Sequence, residues 1–146
     1  MVVEKLKEIE KIALELGYEV ALDLISENKS ANMLRIDLGE ECELDQDLTV
    51  MIYYDADDLD GSVFIQFFSQ YEDEVSNVTE AYKRCAQMTR NTSLGHFNLS
   101  EDETRVYYRY MLAIDQKLVL RAEFINDILD MAVYAIEEFS QSHSGL

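Results

Sequence analysis

Leu48-Thr-Val-Met-Ile-Tyr-Tyr54, then Asp60-Gly61, then Val63-Phe-Ile-Gln-Phe-Phe68 is the stretch whose reading decides the fold. Both flanking runs are rich in β-branched and aromatic residues and are short enough to be strands. The connection Asp55 to Ser62 contains Asp-Gly, a strong turn signal between such runs. The two runs are predicted to form an antiparallel hairpin. The hairpin sits inside an acidic region: from Ile36 to Tyr82 there are fourteen Asp and Glu residues and no Lys or Arg. Strand patterns within that region make the acids folded surface rather than a disordered tail.

Working outward, Val2, Leu6, Ile9, Ala13 and Leu16 recur at helical spacing with Lys and Glu between them, and Gly17 follows where a helix commonly ends in the left-handed conformation. Tyr18 to Ile25 alternates less cleanly and reads as a strand or a helical extension; Gly17 favours the strand. Ser26 to Asn32 is a polar turn. Met33 to Leu38 is a second strand, with Met33, Arg35 and Asp37 opposite Leu34, Ile36 and Leu38. Beyond the hairpin, Val78, Ala81, Tyr82, Cys85 and Met88 return to helical spacing, with Arg84 and Arg90 towards the C-terminal end, which favours positive charge. Gly95 to Leu99 is a short strand, Glu101 to Glu103 a turn, and Arg105 to Asp115 the longest alternating segment. A last helix, Glu123 to Phe139, carries Phe124, Ile128, Leu129, Ala132, Val133, Ile136 and Phe139 on one stripe. The order α-β-β-β-β-α-β-β-α, with hairpin-linked strands and helices at the N-terminus, middle and C-terminus, is α+β with an antiparallel sheet.

A chain of 146 residues that is 48% hydrophobic is enough for one cored domain, placed at 1–140, with 141–146 a loose tail. The formal charge of −18 repels phosphate backbones and anionic lipid and suits a basic or weakly charged partner. No apolar run approaches the roughly 18 residues of a membrane span, and Met1 to Lys7 has the wrong pattern for a signal peptide. The expected setting is therefore cytoplasmic, with no nucleic-acid or membrane partner. The sequons at Asn77, Asn91 and Asn98 then read as chance matches. Cys42 and Cys85 give no disulfide framework, and Cys85 falls on a helix's apolar stripe as a buried thiol.

Alternation sends Val106, Tyr108, Tyr110, Leu112 and Ile114 to one face, matched by Leu48, Val50, Ile52 and Tyr54 and by Val63, Ile65 and Phe67. The opposite face would be polar if it met water. Instead it carries Met51, Tyr53, Phe64, Phe68, Tyr107 and Met111, diluted by Thr49, Gln66 and Arg109. Two arrangements satisfy this pattern. Either a helix crosses over or the sheet curls, or the face meets a second copy or another protein.

The order of elements, the stretch Asn91-Thr-Ser-Leu-Gly-His-Phe-Asn-Leu99, the Tyr-rich strand after it and the closing amphipathic helix resemble the type III secretion chaperone-like superfamily, and within it the YbjN-type proteins. The resemblance runs over essentially the whole chain on loose, mostly structural motifs. It implies a non-enzymatic module, often dimeric, that binds protein segments through apolar sheet surface. YbjN-type members are described as sensory or regulatory without a defined chemistry, and the superfamily brings no catalytic residues.

Asp55, Asp57, Asp58 and Asp60 beside Gly61 suggest calcium, but setting Gly61 at the sixth position of an EF-hand loop puts Ala56 first and Phe67 last, where oxygen ligands are required. His96 and His143 are not spaced with the cysteines as zinc ligands, and His96 reads as a strand-end residue. No nucleophile elbow or phosphate-cradling glycine loop occurs. The basic residues are scattered, and Tyr107, Tyr108 and Tyr110 have only Arg105 and Arg109 near them to hold a phosphate chain. The expectation is a protein-binding, chaperone-like or regulatory adaptor without catalytic residues, cofactor or metal. It is expected to form a homodimer and to bind a protein partner or peptide segment through Met51, Tyr53, Phe64, Phe68, Tyr107 and Met111. The alternative is a regulator that binds a small ligand or divalent cation at the acidic hairpin.

Overall fold

The first helix, α1 (Val2–Glu15), buries Leu6, Ile9, Ile12 and Ala13. It stops where the sequence says it should. Gly17 takes φ of +95°, Gly17 N–H bonds Leu14 O and Tyr18 N–H bonds Ala13 O, the paired closure of a helix end in the left-handed conformation. Leu16 therefore lies beyond the helix and is exposed. The computed structural model describes residues 2–24, 32–39, 47–53 and 61–141.

The strands are β1 (Glu19–Asp23), β2 (Met33–Asp37), β3 (Asp47–Tyr53), β4 (Ser62–Gln70), β5 (His96–Leu99) and β6 (Val106–Asp115). The helix α2 (Val78–Asn91) lies between β4 and β5, and α3 (Ala122–Gln141) follows β6. They make one antiparallel sheet of six strands in the order β1-β2-β3-β4-β6-β5. The fold is α+β, with its elements in the order read from the sequence. The predicted hairpin is β3 paired with β4, Tyr53 opposite Phe64 and Ile52 opposite Ile65. Its acidic connection, 54–60, lies outside the described residues, as do Cys42, His143 and 142–146 of the expected tail. Gln141, assigned to that tail, closes α3.

The core lies on one side of the sheet. Leu34, Ile36, Leu38, Leu48, Val63, Ile65, Phe67, Phe97, Leu99, Val106, Tyr108 and Ile114 form one buried cluster with residues of all three helices. Pleating fixes this, since paired residues share a face: Val63 opposes Ile114, and Phe97 opposes Tyr108. From α3 come Ile125, Ile128, Leu129, Ala132, Ala135, Ile136 and Phe139. The stripe is turned slightly from the sequence expectation. Ile125 and Ala135 sit at helical spacing with the rest and are buried, whereas Phe124 is exposed. Phe139 stacks on Phe97 with centroids 4.5 Å apart, and Tyr71 Oη donates to Ile136 O at 2.7 Å.

Helix α2 guards an edge of the sheet. Asn77 caps it, its side-chain oxygen accepting the Glu80 N–H at 3.1 Å. From its last turns, Thr89 Oγ1 accepts the Phe97 N–H at 2.8 Å and donates back to Phe97 O at 3.3 Å. At Phe97 the outward backbone of edge strand β5 is thus satisfied by a side chain rather than left as a template for another strand. The turn into β5 is tight. Tyr108 Oη donates to Leu94 O at 2.7 Å, and Gly95, at φ +83°, leaves no room for a side chain: a Cβ there would stand 2.7 Å from both Arg109 O and the Tyr108 ring. Cys85 is buried on α2 and its thiol is pushed up to about 11 by that burial.

At the other end of the chain order, α1 clasps the connection between β6 and α3. Lys5, only 8% exposed, pairs with Glu8 at 3.1 Å and donates to Leu118 O, while Glu8 Oε1 accepts the Leu120 N–H at 2.6 Å. A buried lysine is tolerated because its donors are taken up by a carboxylate and a carbonyl.

Candidate protein-binding face

The face of the sheet turned away from the core cluster is the candidate site. Strand register puts Phe64, Gln66, Phe68 and Gln70 of β4 beside Ala113, Met111, Arg109 and Tyr107 of β6. Met51 and Tyr53 of β3 take positions in the same row, opposite Gln66 and Phe64. His96 and Asn98 of β5 continue the row past Arg109 and Tyr107. All six residues expected on this face occupy register positions on it. The four whose side chains are described, Phe64, Phe68, Tyr107 and Met111, are half-buried and stand outside the core cluster.

The side chains here pack on one another. Phe68 and Tyr107 stack with centroids 5.3 Å apart, across the diagonal of the β4–β6 ladder. His96 meets the Tyr107 ring edge-on at 6.2 Å. Arg109 Nε donates to Gln66 Oε1 at 2.7 Å, and its guanidinium lies 3.8 Å from the Met111 sulfur. Gln66 is only 7% exposed in the middle of this row. Burial, and then the Arg109 charge, hold the His96 imidazole below its ordinary value, so near neutral pH it is an uncharged aromatic surface.

Acidic residues gather at one end of the row. Tyr71 N–H bonds Val106 O at 2.9 Å and Val75 N–H bonds Thr104 O at 2.7 Å, which lays the segment Glu72-Asp73-Glu74 along the turn Glu101-Asp102-Glu103. Within that turn Asp102 accepts from the hydroxyls of Ser100 and Thr104 at 2.7 Å each, bonds that lower its carboxyl pKa. Arg105 reaches across to Glu72 O at 3.2 Å and the Glu74 carboxylate at 3.7 Å. One guanidinium is thereby set among six exposed carboxylates, of which Glu103 is already engaged by the Tyr82 hydroxyl of α2, a bond that raises the Tyr82 pKa. An open hollow of about 470 Å³, lined by Gln70, Ser100, Glu101, Asp102, Thr104 and Arg105, runs from the end of β4 into the turn.

Sequence alternation found the apolar members of this face. It noted Gln66 and Arg109 only as diluents, and it did not bring His96 onto the face, although His96 alternates with buried Phe97. The meeting of Glu72–Glu74 with Glu101–Glu103 depends on β4 pairing with β6, strands separated by a helix and another strand. A second, smaller and more enclosed pocket of about 200 Å³ lies between the end of α2 and α3, with Met88, Leu94, Met131 and Tyr134 among its walls. Among the described residues no group of three or more His, Cys, Asp or Glu is placed to hold a metal ion, and no helix is long and apolar enough to cross a membrane.

No family model matches this chain, and no curated protein matches it. Among solved structures, the crystal structure of an uncharacterized protein from Methanothermobacter thermautotrophicus is similar in fold. Its TM-score is 0.51 at 12% identity, over 93% of this chain and 96% of that one. The likeness is one of architecture and carries nothing about what either protein binds.

Proposed function

We propose that this chain is a non-enzymatic adaptor of the YbjN type, chaperone-like or regulatory, that works in the cytoplasm by binding a protein segment on the face of its sheet opposite the helices. The segment comes from another protein or, in a homodimer, from a second copy. The observation that carries the reading is the row Phe64, Phe68, Tyr107 and Met111: large apolar side chains, half-buried and outside the core, with Phe68 and Tyr107 stacked on each other. Covering four such side chains contributes on the order of 4–8 kcal/mol at roughly 1–2 kcal/mol each for half-exposed groups, before the cost of association. The acidic surroundings favour basic partners and slow the approach of acidic ones.

The test compares the native protein with a variant carrying Phe64→Asp and Tyr107→Asp. The native protein is expected to bind a dye that reports exposed apolar surface, or to self-associate in sedimentation at micromolar concentration; the double variant should lose both while keeping a cooperative thermal transition. A native protein that sediments as a clean monomer and leaves the dye dark would overturn the reading.

A further inference from the structure

We propose that the segment bound on this face is cationic at one end and aromatic or aliphatic along the rest, and that it lies along β4 and β6 with its Lys or Arg residues at the Glu72–Glu74 and Glu101–Glu103 end. The inference rests on the protein-binding reading above and adds the partner's chemistry and its direction.

Two features of the face set the direction. Arg109 stands in the middle of the row, held by Gln66, so a Lys or Arg laid over the centre meets a fixed like charge. An aromatic ring laid there instead stacks on the guanidinium and on the Phe68–Tyr107 pair. At the far end the charge reverses: past Gln70 and Tyr107 the hollow opens onto the acidic turn, where Arg105 is tied to Glu72 O and Glu74. Apolar centre and anionic end lie on one straight path. At roughly 3.3 Å per residue, β4 from Phe64 to Gln70 gives a track of about 20 Å, which an extended segment of six or seven residues covers. A second copy of this chain fits the end poorly, since each copy brings a formal charge of −18.

The probe is a labelled synthetic peptide of about ten residues, with Phe and Leu alternating with Ser and a Lys-Arg-Lys end, read by fluorescence anisotropy. Three companions are used: one with Glu in place of the basic end, one with Ser in place of Phe and Leu, and one with the basic triad moved to the middle. Tight binding is expected only for the first peptide, weakening about tenfold or more when the protein carries Glu72→Lys, Glu74→Lys and Glu101→Lys. The same number of reversals placed elsewhere, at Glu15, Asp127 and Asp130, should change it by less than about twofold at 0.15 M salt, where distant charges are screened.

Equal binding of the acidic-ended or middle-basic peptide, abolished by Phe64→Asp and Tyr107→Asp, would overturn the cationic end while leaving the protein-binding face intact. Equal binding of the Ser-substituted peptide would reduce the effect to bulk attraction and overturn the proposal. A salt-resistant dimer that the Phe64→Asp and Tyr107→Asp variant breaks, and that the peptide cannot displace, would make a second copy the occupant and overturn it as well. Binding by no peptide, together with a dark dye and a clean monomer, would remove the face reading itself.

Discussion

Phe67 and Phe68 are consecutive residues of β4, and the pleat sends them to opposite sides of the sheet. Phe67 is fully buried, its ring beside Tyr110 at 6.2 Å and within the cluster roofed by the helices. Phe68 is half-buried, stacked on Tyr107 in a row that belongs to no core. Side chains of one chemistry thus do two jobs, and the difference is set by which face the helices occupy. Apolar residues on the roofed face belong to the folded core, whereas those on the other face are half-buried outside it.

Substitution at the two phenylalanines tests that contrast most directly. Phe67→Ala should cost about 3–5 kcal/mol in urea-induced unfolding, because it opens a cavity in a packed core. Phe68→Ala should cost only about 1 kcal/mol, the scale of one cross-strand aromatic pair. Comparable losses at both positions would mean that the row is structural and would dissolve the contrast. Gly95→Ala should come next at about 3 kcal/mol, since the added methyl strikes the Arg109 carbonyl and the Tyr108 ring and forces a left-handed conformation on a residue with a Cβ. A variant that melts like the parent would show that β5 can back away from β6.

Thr89→Val is expected to cost about 1–2 kcal/mol by removing the partner of both Phe97 backbone groups. It should also increase concentration-dependent association through the bared edge, measured by light scattering. The smallest effect belongs to His96, on the open face. Its pKa is lowered on folding, so the unfolded chain takes up the proton first. Stability is unaffected above the unfolded value and falls as pH drops below about 6.5, the ordinary histidine value. Thermal melts between pH 7.5 and 5.5 should show that decline in the parent and a weaker one in His96→Asn, the carboxylates contributing equally to both. Identical slopes would place His96 in open solvent.

Much of this architecture is legible in the sequence, for reasons tied to particular residues. Period-two alternation in Arg105–Asp115 and the Asp-Gly turn marked β6 and the β3–β4 hairpin, because the pleat leaves a local signature. Gly17 marked the end of α1 because only a left-handed closure satisfies those carbonyls cheaply. Less legible was anything decided between distant segments. Nothing local marks Thr89 as the residue that pairs with the backbone of β5. Nor does the first helix's own pattern show that Lys5 is buried against the β6–α3 connection. Phe124 and Ile125 are neighbours of similar hydrophobicity, and only the pitch of α3 on the sheet chooses the latter. The candidate face was half legible: its greasy residues followed from alternation, whereas its acidic end required knowing that β4 lies beside β6.

The closing helix carries a consequence for how the chain is made. Its seven buried residues form the lid of the interior, and Phe139, close to its end, lies flat on Phe97. Until those turns leave the ribosome, the growing polypeptide holds a β-layer whose inner side is covered only by α1 and α2 and whose outer side carries the Phe68–Tyr107 row. Abundant carboxylates then act as an internal solubiliser, keeping unfinished copies apart by mutual repulsion during that vulnerable interval.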